Sequence, residues 1–255
     1  MKYHYLSETV VIKKMSEDRR AGVFEIEGLY TGYGLTVGNA LRRTLLSSLP
    51  GSAITQIKIK GANHEFSTLP GMVEDLVELT LNLKKIRIRS YSDEPQVLTL
   101  KAKGEREVTA VDIKTNSQVE VITSDVHIAS LTDKNAELDM ELTVEKGLGY
   151  SPVESRKVEK LGVGTIALDA LFSPVLRVSY TVSDMRVGER TDYNKIKLEV
   201  ETDGTVSPSS ALHKAANILK DHFEILSSVE VADFGEVAKA GEAKPKTKRA
   251  KKAAK

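Results

Sequence analysis

The chain has 255 residues, 40% hydrophobic and 29% charged, with no cysteine, no tryptophan and a net charge of +1. That composition suits a soluble globular protein with a core for one large domain or two small ones, and it excludes a disulfide scaffold, a thiol nucleophile and a cysteine-built zinc site. No apolar run approaches the ~18 residues of a membrane span and the N-terminus lacks an apolar stretch of secretory type, so the expected compartment is the cytosol.

Taken in chain order, Val23–Glu27 is the first candidate strand. Val37, Ala40, Leu41, Leu45 and Leu49 then recur at helical spacing, and Pro50-Gly51 is expected to end that helix. Ala53–Lys60 reads as a strand, and Met72–Leu83 as a second helix with Met72, Val73, Leu76, Leu79 and Leu83 apolar. Weaker strand signals cover Lys84–Arg89, Val97–Ala102 and Val119–Ile122. The clearest strand is Glu137–Lys146, where Leu138, Met140, Leu142 and Val144 alternate with polar residues. The same period of two returns in Leu176, Val178, Tyr180 and Val182 and again in Ile196, Leu198 and Val200. Strands with one wet face suit antiparallel sheets. A third helix starts at Ser207-Pro208, a good N-cap followed by proline at the first helical position, with the stripe Leu212, Ala215, Ala216, Leu219, Phe223 and Leu226. The last 18 residues hold eight Lys or Arg and one acidic residue, a net of +7 that leaves about −6 for residues 1–237. With no aromatic or branched aliphatic residue, that stretch cannot bury a core, so folded sequence is expected to stop near 235 and a disordered basic tail to follow.

Several residues invite a chemical reading. Gly32-Tyr33-Gly34-Leu35-Thr36-Val37-Gly38 opens the first helix, but its spacing is GxGxxxG and no P-loop lysine follows. Tight packing explains it better than phosphate binding. The histidines His4, His64, His127, His213 and His222 form no HExxH, so no metal site is expected. Glu74, Asp75 and Glu78 suit acid–base or Mg²⁺ chemistry, and more readily a solvated or partner-facing acidic edge. Arg42 and Arg43 sit in a helix otherwise apolar or small and leave it about 100° apart. One can pair internally while the other reaches a partner, or both can be solvated.

The string Gly38-Asn39-Ala40-Leu41-Arg42-Arg43, continuing to Pro50-Gly51, closely resembles the alpha subunit family of bacterial and plastid RNA polymerase. Further matches follow in family order: His64-Glu65-Phe66-Ser67-Thr68, Gly71–Asp75 leading to Leu81-Asn82-Leu83-Lys84, Gly147–Tyr150, Asp169–Val175, Arg190-Thr191-Asp192 and Glu201–Thr205. Each alone is moderate evidence; the ordered set is specific.

The resemblance implies an α+β assembly subunit without catalytic residues, cofactor or metal of its own, the Mg²⁺ belonging to the large subunits. Residues 1–51 plus 173–235 would form a discontinuous dimerisation domain of helices on a sheet. Residues 52–172 would form an inserted, mainly antiparallel β domain, and 236–255 the tail. The chain would homodimerise and recruit the beta and beta-prime subunits for DNA-templated transcription, reaching DNA through the complex. Carried over by residue, Arg43 and Leu46 match beta-contact positions, and Lys84 and Leu168 beta-prime positions. Val37, Leu41, Leu45, Leu212, Leu219 and Phe223 would supply the dimer interface. The family usually continues into a small DNA-contacting C-terminal domain, which the residues after 235 are too few to contain. The tail residues Lys244, Lys246, Lys248, Arg249, Lys251 and Lys252 offer a salt-dependent handle for nucleic acid or simply a solubilising linker. Two other classes stand beside this one: a nucleic-acid module acting through the tail, disfavoured by the acidic body, and an independent enzyme using the Gly32–Gly38 turn.

Overall fold

Alternating apolar residues put one face of each long strand against helices and leave the other in water, and the chain folds accordingly into antiparallel sheets with few helices. The structure, a computed structural model, describes residues 8–62, 64–156, 162 and 164–229. Residues up to Leu219 form one compact unit and those from Lys220 a second.

The chain opens with the hairpin β1 (Val11–Glu17) and β2 (Ala21–Leu29), followed by α1 (Tyr33–Ser47). β3 (Pro50–Ile59), α2 (Leu76–Leu83) and β4 (Ile88–Ser90) lead to β5 (Gln96–Lys103), β6 (Arg106–Thr109), β7 (Ile113–Lys114), β8 (Val119–Val121) and β9 (His127–Leu131). The twelve-residue β10 (Glu137–Leu148) precedes three short strands, β11 (Tyr150–Ser151), β12 (Thr165–Ala167) and β13 (Ala170–Leu171). The long hairpin β14 (Val175–Val187) and β15 (Arg190–Thr202) then leads to α3 (Pro208–Ser227).

Two sheets organise two cores. The first, ordered β1-β2-β15-β14, is built from both ends of the described chain. Phe24, Ile26, Ile196, Leu198 and Val200 on its inner face pack with Leu41 and Leu45 of α1 and Ala211 and Ala215 of α3. Its outer face is wet and carries charge pairs such as Lys13–Glu27 and Lys195–Glu25. The second sheet, ordered β7-β5-β10-β3-β4-β8 with β12 beside β3, buries Ile57, Leu98, Leu100, Leu138 and Met140 with Leu76, Leu79 and Leu83 of α2.

The glycine turn is resolved as packing. A Cβ on Gly34 would lie 2.6 Å from Val182 Cγ1, and one on Gly38 2.7 Å from the Tyr180 ring. Both are closer than atoms tolerate, so only glycine lets α1 lie flat on β14.

Some element boundaries move. The first helix ends at Ser47, and Pro50 opens β3 rather than only closing the helix. The second helix begins at Leu76, not Met72, because the Asp75 carboxylate accepts the Glu78 N–H at 2.7 Å and caps it there. Of the Lys84–Arg89 strand only Ile88 and Arg89 belong to β4, since the helix carries the chain as far as its C-cap at Lys84. Leu176 is 48% exposed, because a bulge between Val175 and Arg177 breaks the alternation. The third helix starts at Pro208 as its sequence signature indicates, with Ser207 Oγ accepting from Ser210 N.

Candidate interaction surfaces

Helix α1 turns Leu41 and Leu45 inward, so Arg42, Arg43 and Leu46 face out. Leu46 is 36% exposed, and it stands three residues after Arg43, on the neighbouring turn of the same side. Among the described residues neither arginine guanidinium has a hydrogen-bond or ion-pair partner. A planar cation beside an exposed leucine on a helix seated against a sheet is well suited to a protein contact.

The second surface surrounds α2. Leu76, Leu79 and Leu83 are buried, while Val77 and Leu81, four apart on the helix, are exposed, as is Val73 ahead of it. Val77 and Leu81, with Glu78 between them, thus leave an apolar pair uncovered by the rest of the chain. Lys84 ends this stripe, with Nζ 3.1 Å from Asp169 Oδ2. Asp169 Oδ1 accepts the Val153 N–H at 3.0 Å, and that amide, followed by Lys84, holds the carboxyl below its ordinary range. Beside the pair lies a concavity of about 190 Å³ lined by residues including Ile54, Arg87, Tyr150 and Leu171. The exposed pair Val77 and Leu81 was absent from the sequence-derived site. Its signal was the apolar pair Val77 and Leu81, four apart and off the stripe of Leu76, Leu79 and Leu83.

Three expected contact residues require correction. Leu41 and Leu45 were assigned to a dimer interface, but they are 7% and 0% exposed and packed into the chain's own first core, so they have almost no area to offer a second chain. Leu168, assigned to beta-prime contact, is likewise 4% exposed within the second core. Val37, Leu212 and Leu219 are partly buried against the first core, and Phe223 is exposed. The tail residues Lys244, Lys246, Lys248, Arg249, Lys251 and Lys252 lie outside the described residues, as do 230–255 as a whole.

The acidic cluster also separates. Asp75 caps α2, and Glu74 is buried, with its carboxylate 2.8 Å from His127 Nε2 and 2.7 Å from the Ser130 amide. These are structural bonds rather than an acidic edge. Among the described residues no group of three or more His, Cys, Asp or Glu is placed to hold a metal ion, and no helix is long and apolar enough to cross a membrane.

Two helical faces, on α1 and α2, thus each expose apolar side chains beside a cation. Residues 57–173 match the family model described as the RNA polymerase Rpb3/RpoA insert domain. A DNA-directed RNA polymerase subunit alpha from Symbiobacterium thermophilum is 52% identical over 231 residues, covering 90% of this chain and 72% of that protein. Subunits of the same name from Alkaliphilus oremlandii and Moorella thermoacetica are 45% and 48% identical, covering 85% and 82% of this chain and 68% and 66% of theirs. The chain belongs to the family of DNA-directed RNA polymerase alpha subunits, the assembly subunit of that DNA-templated nucleotidyltransferase.

Proposed function

We propose that two copies of this chain dimerise and that the dimer recruits the beta and beta-prime subunits in the cytoplasm, reaching DNA through the complex. Catalysis and its Mg²⁺ reside on the large partners. Residues 1–51 plus 173–235 serve dimerisation, and 52–172 serve as an inserted contact domain. The exposed, unpaired Arg43 beside Leu46 on α1 carries the reading, and together they form the beta contact. Lys84, with Val77 and Leu81 on the same helix, forms the beta-prime contact. The dimer face draws on Tyr33 and Leu35, which are exposed, with Val37, Leu212 and Leu219 at its edge; in the second unit, Phe223 is exposed and available to a partner copy. Apolar helical stripes meeting across a two-fold axis make a self-complementary interface.

Arg43→Ala tests the assignment. It leaves the dimer intact by size-exclusion light scattering and weakens beta recruitment by about 2 kcal/mol or more, on the order of thirtyfold, in a pull-down titration. Normal beta binding by a monomeric chain sinks the reading.

A further inference from the structure

Helix α1 begins without a cap of its own. Its N-cap Gly32 has φ +84° and no side chain, and no acidic residue stands in the first turn. Of the N–H groups at that end, Tyr33 N donates locally to the Tyr30 carbonyl at 3.0 Å, while those of Gly32 and Gly34 are met from a distant part of the sequence. Asn194 on β15 is buried, and its Oδ1 accepts from Gly32 N at 2.9 Å and from Gly34 N at 3.3 Å. Its Nδ2 donates to Asp184 Oδ1 at 3.0 Å, which fixes the orientation of the amide. The residues before it brace the approach to the helix. Thr31 Oγ1 donates to Asp192 Oδ2 at 2.7 Å, and Arg190 grips Asp192 through Nε and Nη2 at 3.0 and 2.7 Å. The Arg190 guanidinium also stands 4.9 Å from the Tyr30 ring centre and 5.3 Å from that of Tyr193.

We propose that Asn194, braced by Arg190 and Asp192, is the positioning residue for the partner-binding face of α1: it caps the helix from the neighbouring sheet and so fixes how Arg43 and Leu46 are presented. The inference rests on the reading that this face binds beta. Gly34 and Arg43 lie nine residues apart, about 14 Å along one stiff rod, so a tilt at the capped end displaces the contact end. Asparagine is the side chain for this role because it accepts from the helix while donating to Asp184. A carboxylate there still accepts from the helix but repels Asp184, and alanine leaves the buried Gly34 N–H unpaired.

The test uses the full chain co-expressed with its beta subunit. Recruitment is titrated by pull-down, and amide hydrogen exchange is followed over the first turn of α1. Asn194→Asp lowers recruitment and speeds that exchange, each about tenfold. Adding Asp184→Asn restores both to within about twofold, because the amide introduced at position 184 donates to the carboxylate introduced at 194. A loss unconnected with the cap is not rescued by that exchange of groups. Wild-type recruitment in the single variant, or a double variant no better than the single, overturns the proposal. If the single variant does not accumulate as folded chain, the double variant decides alone, on the same twofold and tenfold criteria. Normal recruitment by Arg43→Ala overturns the α1 reading instead, and the exchange rates then still judge the cap.

Discussion

His127 on β9 faces a carboxylate at each ring nitrogen: Nε2 lies 2.8 Å from Glu74 Oε1 and Nδ1 2.8 Å from Glu107 Oε1. Only the imidazolium donates at both positions, so it is the favoured form. The Glu74 bond raises the His127 pKa above its ordinary 6.5, burial works against this, and Glu107 adds to the rise. Burial opposes ionised Glu74, yet the Ser130 amide and His127 outweigh it and hold the carboxyl below its ordinary 4.5. A raised imidazole stabilises the fold fully below 6.5 and less as pH climbs through its folded value; a lowered carboxyl does so above 4.5 and less as pH falls through its folded value. The stability deficit of His127→Ala is therefore greatest between 4.5 and 6.5 and shrinks toward alkaline pH, which urea unfolding at several pH values measures. A deficit that grows toward alkaline pH contradicts this account.

At the scale of elements, each helix of the first core draws one N-terminal acceptor from a strand remote in sequence, beside its local bonds. For α3 the donor is Ser209 N, which meets Glu17 Oε1 at 2.8 Å, while Lys14 holds the other carboxylate oxygen at 2.9 Å. The bond from Ser209, followed by that from Lys14, brings the Glu17 pKa from 4.5 down to about 2, as a carboxylate at a helix N-terminus should behave. Its contribution is present above 4.5 and lost as pH falls toward 2. Glu17→Gln lowers the melting temperature at neutral pH and converges with the wild type in acid; equal differences at both pH values contradict the cap. None of this was legible in the sequence, which shows spacing along an element but not which strand reaches which helix. The period of two in β10 and β15 and the Ser-Pro start of α3 were legible, because one wet face and one fixed φ leave their mark locally. β1 was not, because its seven residues, six of them exposed, carry no inward stripe. Leu41, Leu45 and Leu168 were misplaced because a core and an interface both require apolar side chains.

At the scale of the molecule, specific side chains join the two cores. Arg89 on β4 donates through Nε to the Thr205 carbonyl at 2.8 Å, and its Nη1 pairs with Glu120 at 3.2 Å. Phe172, entering the hairpin that completes the first sheet, fits where Gly51 faces Gly147 across β3 and β10; a Cβ on Gly147 would lie 2.5 Å from its ring. Arg89→Ala removes the clasp at a cost of about 1–3 kcal/mol. Hydrogen exchange then shows β15 opening more readily while β10 keeps its protection; a uniform loss in both sheets argues against separable cores.

The remote cap has a consequence for synthesis. Asn194 follows Gly32 by 162 residues, so α1 leaves the ribosome with neither its cap nor the strand beneath it. The second core, drawn from residues 54–168, is complete before β15 has been made. Translation thus finishes the middle of the molecule first and the start of α1 only once nearly all the described chain exists, so a truncated nascent chain lacks a finished α1.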